Sequence, residues 1–107
     1  MSKQSAPEEL APIAPKLVQI TDDVLFGDVW ERGELSPRDR SLVTVSVLAA
    51  LYRAEQLPYH LGKALENGLT VEELSESITH LAFYAGWPNA MTAINQLKKV
   101  AEANAAA

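Results

Sequence analysis

The sequence predicts an all-α fold, a compact bundle of five to six helices. Three observations carry this: helix start and stop residues recur along the chain, apolar residues repeat at threes and fours, and only two to five residues separate successive segments. Alternating strand patterns are nearly absent. Residues 1–11 are polar and bear alanine and proline, so they are expected to form a flexible N-terminal arm. Residues 12–107 contain no repeat, low-complexity linker or charge block that would divide them, and they are expected to form one domain.

From Pro12 to Gly33 the apolar residues Ile13, Leu17, Ile20, Val24, Leu25 and Val29 keep helical spacing, interrupted at Thr21-Asp22-Asp23 and at Gly27. This predicts two short helices with Thr21 or Asp22 as a cap. Ser36 then suits an N-cap, Pro37 the first helical position and Asp39 the first turn, predicting a helix that runs to about Tyr52. Its stretch from Leu42 to Leu51 is apolar nearly all round, the pattern of a helix whose neighbours cover most of its surface. Val43, Val45 and Val47 also suit a buried strand, but the length and the cap favour helix.

Another helix opens near Pro58 and closes at Asn67-Gly68, where glycine supplies a left-handed turn. Thr70-Val71-Glu72-Glu73 has the spacing of a capping box, and the helix it starts carries Leu74, Ile78, Leu81 and Ala85 on one stripe before Gly86. Trp87-Pro88 restarts a last helix through Ala90, Met91, Ile94, Leu97 and Val100 into an alanine-rich tail.

Composition narrows the chemistry. The 107 residues are 48% hydrophobic, and nine Lys and Arg against fourteen Asp and Glu leave a net charge of -5. Area scaling at this size removes roughly two-thirds of the unfolded surface from water, so a core forms with little margin. A surface of this sign repels phosphate backbones, which argues against a nucleic-acid partner. No run of 18 apolar residues predicts a membrane span, and the N-terminus lacks the pattern of a signal peptide, so a cytoplasmic protein is expected. The chain has no cysteine, and thiol peroxidase, disulfide-exchange and thiolate-metal chemistry all require one.

The candidate functional residues are few. All four arginines, Arg32, Arg38, Arg40 and Arg53, lie within one 22-residue stretch. Their planar forks suit a carboxylate ligand, and they equally suit helix ends. His60 falls at the edge of the stripe Leu57, Leu61, Ala64 and Leu65, as a core imidazole or as the polar floor of a pocket. Glu76, His80 and Tyr84 share a helix flank at i, i+4 spacing, which fits either a carboxylate orienting an imidazole or a surface pair. Trp87 in the Gly86-Trp87-Pro88 corner suits a pocket wall, a subunit contact or a local core plug. No H-x-x-x-H spacing, glycine-rich phosphate loop or dinucleotide fingerprint is present, so neither a metal nor a cofactor is expected.

Three segments stand out together: Leu35-Ser36-Pro37-Arg38-Asp39-Arg40-Ser41-Leu42-Val43-Thr44-Val45, His60-Leu61-Gly62-Lys63-Ala64-Leu65-Glu66-Asn67-Gly68-Leu69-Thr70, and His80-Leu81-Ala82-Phe83-Tyr84-Ala85-Gly86-Trp87-Pro88-Asn89-Ala90. In this order and spacing they resemble the carboxymuconolactone decarboxylase family, whose redox branch contains the alkylhydroperoxidase D-like proteins. The resemblance covers roughly residues 20–100 and implies the alkylhydroperoxidase D-like helical fold. In the redox branch, a C-x-x-C pair stands seven and four residues before the histidine that corresponds to His60. Those places hold Arg53 and Gln56 here, and the assisting glutamate falls near Ser41. The resemblance therefore points to the decarboxylase-like branch.

That branch implies cofactor-free loss of carbon dioxide from 4-carboxymuconolactone, a reaction of aromatic breakdown. The step needs a cationic clamp for carboxylates, a place to delocalise charge and an acid to return a proton to carbon. The roles it implies are Arg40 and Arg53 as carboxylate ligands, His60 as proton donor or relay, Glu55 or His80 tuning it, and Tyr84 and Trp87 as pocket walls. It also implies a homo-oligomer, a hexamer or trimer with sites between subunits, acting on a small anionic substrate. The alternative is a non-catalytic oligomeric binding or accessory protein of the same fold.

Overall fold

The computed structural model describes residues 4–106, and within them every regular element is helical. Met1, Ser2 and Lys3 of the expected arm, and Ala107, lie outside the described residues. The main helices are α1 (Pro15–Ile20), α2 (Pro37–Ala50), α3 (Leu57–Glu66), α4 (Val71–Ala85) and α5 (Trp87–Ala106). Short 3-10 turns at Glu8–Leu10 and Val29–Glu31 and a π-helical segment at Thr21–Phe26 complete the set. The chain divides after Pro37 into two compact units.

In the first unit, α1 runs straight into the π segment. The cap expected at Thr21 or Asp22 does not form, because both side chains are engaged elsewhere. Thr21 has helical backbone angles and its Oγ1 donates to the carbonyl of Leu17 at 2.7 Å, a back-bond that keeps the helix going. Asp22 Oδ1 accepts the N–H of Ala6 at 2.7 Å, so the segment before the first turn is tied down. Phe26 is buried, its ring 6.4 Å from that of Trp30. The apolar stripe of this unit, by contrast, is exposed: Ile13 is 85% accessible, and Leu17, Ile20, Val24, Leu25 and Val29 are all open to solvent.

The second unit holds a layered helical core. Val45 and Ala49 of α2, Leu57, Leu61 and Ala64 of α3, Leu74, Ile78, Leu81 and Ala82 of α4, and Ala90, Ala93 and Leu97 of α5 form one buried cluster. Each fully buried leucine or isoleucine contributes about 1.5–3 kcal/mol relative to exposure. Polar ties fix the helices against each other. Asn67 Nδ2 donates to Ser41 Oγ at 2.9 Å, Asn89 Nδ2 to the carbonyl of Ala50 at 2.8 Å, and the Arg38 guanidinium pairs with Glu73.

Helix ends follow the predicted chemistry closely. Thr70 and Glu73 form the reciprocal capping box at the start of α4, both bonds at 3.0 Å. Gly86, at φ +107° and ψ 147°, forms an extended positive-φ corner after α4, and Gly68, also at φ +107°, makes the left-handed turn after α3. α2 ends in the same kind of turn without a glycine: Tyr52 sits at φ +60°, with the N–H of Arg53 reaching the carbonyl of Leu48 at 2.8 Å. A left-handed tyrosine costs about 1–2 kcal/mol, offset by the carbonyls this turn satisfies. The nearly all-round apolar α2 is covered only in part, since Val43 and Val47, and Leu51 just past its end, remain exposed. Among the described residues no helix is long and apolar enough to cross a membrane.

Candidate active site

Two groups of side chains in the second unit have chemical potential, and different elements present them. The capping box starts α4 in a register that turns Leu74, Ile78 and Leu81 inward and leaves Glu76, His80 and Tyr84 on the flank. On α2, burial of Val45 and Ala49 likewise sets Leu42 and Ser46 toward the side. Between these helices lies a cleft of about 570 Å³ walled by Leu42, Ser46, Glu76, Ser77, His80, Leu81 and Tyr84. That volume lies within the range of small-molecule sites. The His80 and Tyr84 rings lie 5.2 Å apart, tilted by 35°. Both side chains are exposed, so the cleft is open on that side.

The second group is on α3. His60 is half-buried, and its ring meets that of Tyr59 edge-on at 5.0 Å and 88°. Lys63 is buried, with Nζ 3.4 Å from Glu66 Oε2 and 5.9 Å from the centre of the Tyr59 ring. Burial, and then the positive charge of Lys63, hold the His60 imidazole below its ordinary titration range. The neutral ring is therefore its resting form at neutral pH.

The remaining expected site residues are spread further. Arg40 is half-buried in the first turn of α2, where its carbonyl accepts the Thr44 hydroxyl at 2.8 Å. Arg53 and Glu55 are exposed in the link between α2 and α3, with Arg53 Nη1 donating to the carbonyl of Leu51 at 3.4 Å. Trp87, at the first position of α5, helps wall a smaller apolar cavity of about 140 Å³ with Ile78, Thr79, Ala82, Ala90, Met91 and Ile94. Of the expected site residues, the α2–α4 cleft unites His80 and Tyr84. Its walls do not include His60, Glu55, Arg40, Arg53 or Trp87. Sequence reasoning missed Lys63, Ser46 and Leu42. Among the described residues, no three His, Asp or Glu side chains gather in a way that would hold a metal ion.

The sequence pattern of the carboxymuconolactone decarboxylase family matches residues 15–99, which include both groups, and the chain belongs to this family. It is 43% identical over 75 residues to the 4-carboxymuconolactone decarboxylase of Acinetobacter baylyi, an overlap of 70% of this chain and 56% of that protein. It is 33% identical over 69 residues to the nitrosuccinic acid decarboxylase npaB of Metarhizium robertsii, covering 64% of this chain and 48% of the relative. The chain thus spans about half the length of these relatives.

Proposed function

We propose that the chain is a cofactor-free carboxy-lyase for a small cyclic carboxylate, with 4-carboxymuconolactone as the first substrate to try. The observation that carries the reading is the 43% identity to a protein of that name over 70% of this chain. The second relative is also named a decarboxylase. The absence of cysteine supports the same branch, because thiol peroxide reduction needs a thiolate.

In the proposed step, the bond between the ring carbon and its carboxylate breaks and carbon dioxide leaves. The electron pair passes into the unsaturated lactone, and a proton then adds to carbon. His60 returns that proton, Arg40 and Arg53 hold the carboxylates, Glu55 or His80 tunes the imidazole, and Tyr84 and Trp87 wall the site. One chain does not gather these groups in the α2–α4 cleft, so the reading includes a second copy that completes the site. The exposed faces suit such a partner. Phe83 (79%), Tyr84 (82%) and Trp87 (64%) are open to solvent, and α2 and the residue after it add Val43, Val47 and Leu51. The three aromatic rings alone offer on the order of 450 Å², against about 800 Å² per partner in a standard interface.

The test is the fall in ultraviolet absorbance of the lactone with purified protein, beside His60→Ala. Turnover in the first and its loss in the second are expected. Turnover unaffected by the substitution removes His60 from the mechanism, and no turnover removes the substrate. A binding or accessory role is the second reading, favoured by one observation: no arginine or lysine lines the α2–α4 cleft. Saturable binding of the lactone without its consumption would select it.

A further inference from the structure

Lys63 is a buried charge that the proposed step does not use. It is 5% exposed, three residues after His60 on α3. A lysine ammonium leaves water only when other groups hold it, and here Glu66 lies at 3.4 Å and the face of Tyr59 at 5.9 Å. That same Tyr59 ring receives the His60 ring edge-on. One aromatic side chain, itself 52% exposed, therefore lies beside both the cation and the imidazole.

Resting on the decarboxylase reading, we propose that Lys63 is a positioning residue for His60: it fixes the Tyr59 ring against which the imidazole stands and, as a buried cation one turn away, makes that imidazole work uncharged. The direction of the His60 titration agrees, since burial and Lys63 both disfavour the imidazolium. Glu66 is more exposed than Lys63, so water screens its charge more than that of the ammonium. Arg53 and Glu55 in the preceding link are exposed. α5, packed against α3, turns Ala90, Ala93 and Leu97 inward and keeps Lys98, Lys99 and Glu102 in solvent.

An uncharged imidazole suits the chemistry. One nitrogen gives its proton to the carbon that lost carbon dioxide while the other takes a proton from water, so the ring ends neutral as the other tautomer and the hydroxide left behind combines with the released carbon dioxide as bicarbonate.

The chain has two histidines, so both imidazoles can be followed by NMR across pH in the full chain, with His80→Gln assigning the signals. The His60 midpoint is expected to rise toward its ordinary value in Lys63→Met, to stay at the wild-type position in Lys63→Arg, and to fall below it in Glu66→Gln. The acid limb of the kcat/KM profile on the lactone should move in the same directions. Should Lys63→Met not fold, Glu66→Gln still decides, because its shift has the opposite sign. A His60 midpoint unmoved in the folded variants overturns the proposal, whether or not the lactone turns over. Midpoints that move as stated with no turnover of the lactone uphold the Lys63–His60 coupling and remove the decarboxylase reading instead.

Discussion

His60, the proposed proton donor, also bears on stability through its own proton. In the unfolded chain the imidazole titrates near its ordinary 6.5, and in the folded chain burial and Lys63 hold it lower. Between those two values the unfolded state binds more protons, so stability rises with pH there. The contribution is fully present above 6.5 and is lost as pH falls through the folded value. Glu73 acts with the same sign further down, since the Thr70 backbone N–H and Arg38 hold its carboxyl below its ordinary 4.5. The thermal midpoint should therefore fall as pH drops below 6.5, and His60→Gln should abolish that first fall while leaving the later one. Circular dichroism melts across pH check this, and an identical profile in both proteins would refute it. Much of this residue-scale picture was hidden in the sequence. His60 was legible beside Leu57 and Leu61, but Lys63 and Glu66 at i, i+3 spacing look like any solvated pair. Only the packed structure shows that the lysine of the two is buried.

At the scale of elements, local chemistry was largely legible and pairing was not. Pro37, the Thr70–Glu73 box, Asn67-Gly68 and Gly86 marked helix ends correctly, because each signal acts within about one helical turn. Thr70→Ala removes the acceptor of the Glu73 N–H and should cost about 1 kcal/mol, read as a lower urea midpoint with an unchanged slope. Thr21 misled because its hydroxyl has two local partners to choose from, and it takes the Leu17 carbonyl. The cleft was half legible. Glu76, His80 and Tyr84 share a flank by spacing alone, whereas Leu42 and Ser46 join them only through the long-range packing of α2. Periodicity also says which residues seek burial without saying what covers them, as Val43, Val47 and Leu51 demonstrate.

At the scale of the whole molecule, two compact units both leave apolar side chains in solvent, and the proposed site residues are divided between the α2–α4 cleft and other surfaces. The proposed second copy would answer both facts. Sedimentation velocity should show a trimer or hexamer for the wild type, and Val47→Asp on the exposed face of α2 should shift it toward monomer while preserving the helical spectrum. A wild-type monomer at micromolar concentration would contradict the shared-site reading. The central claim, carboxylate chemistry in a chain without thiols, is tested most directly by trapping carbon dioxide while 4-carboxymuconolactone is consumed. Carbon dioxide in equal amount to lactone lost, abolished by His60→Ala, is the predicted result. Lactone left intact, or opened without release of carbon dioxide, would contradict it.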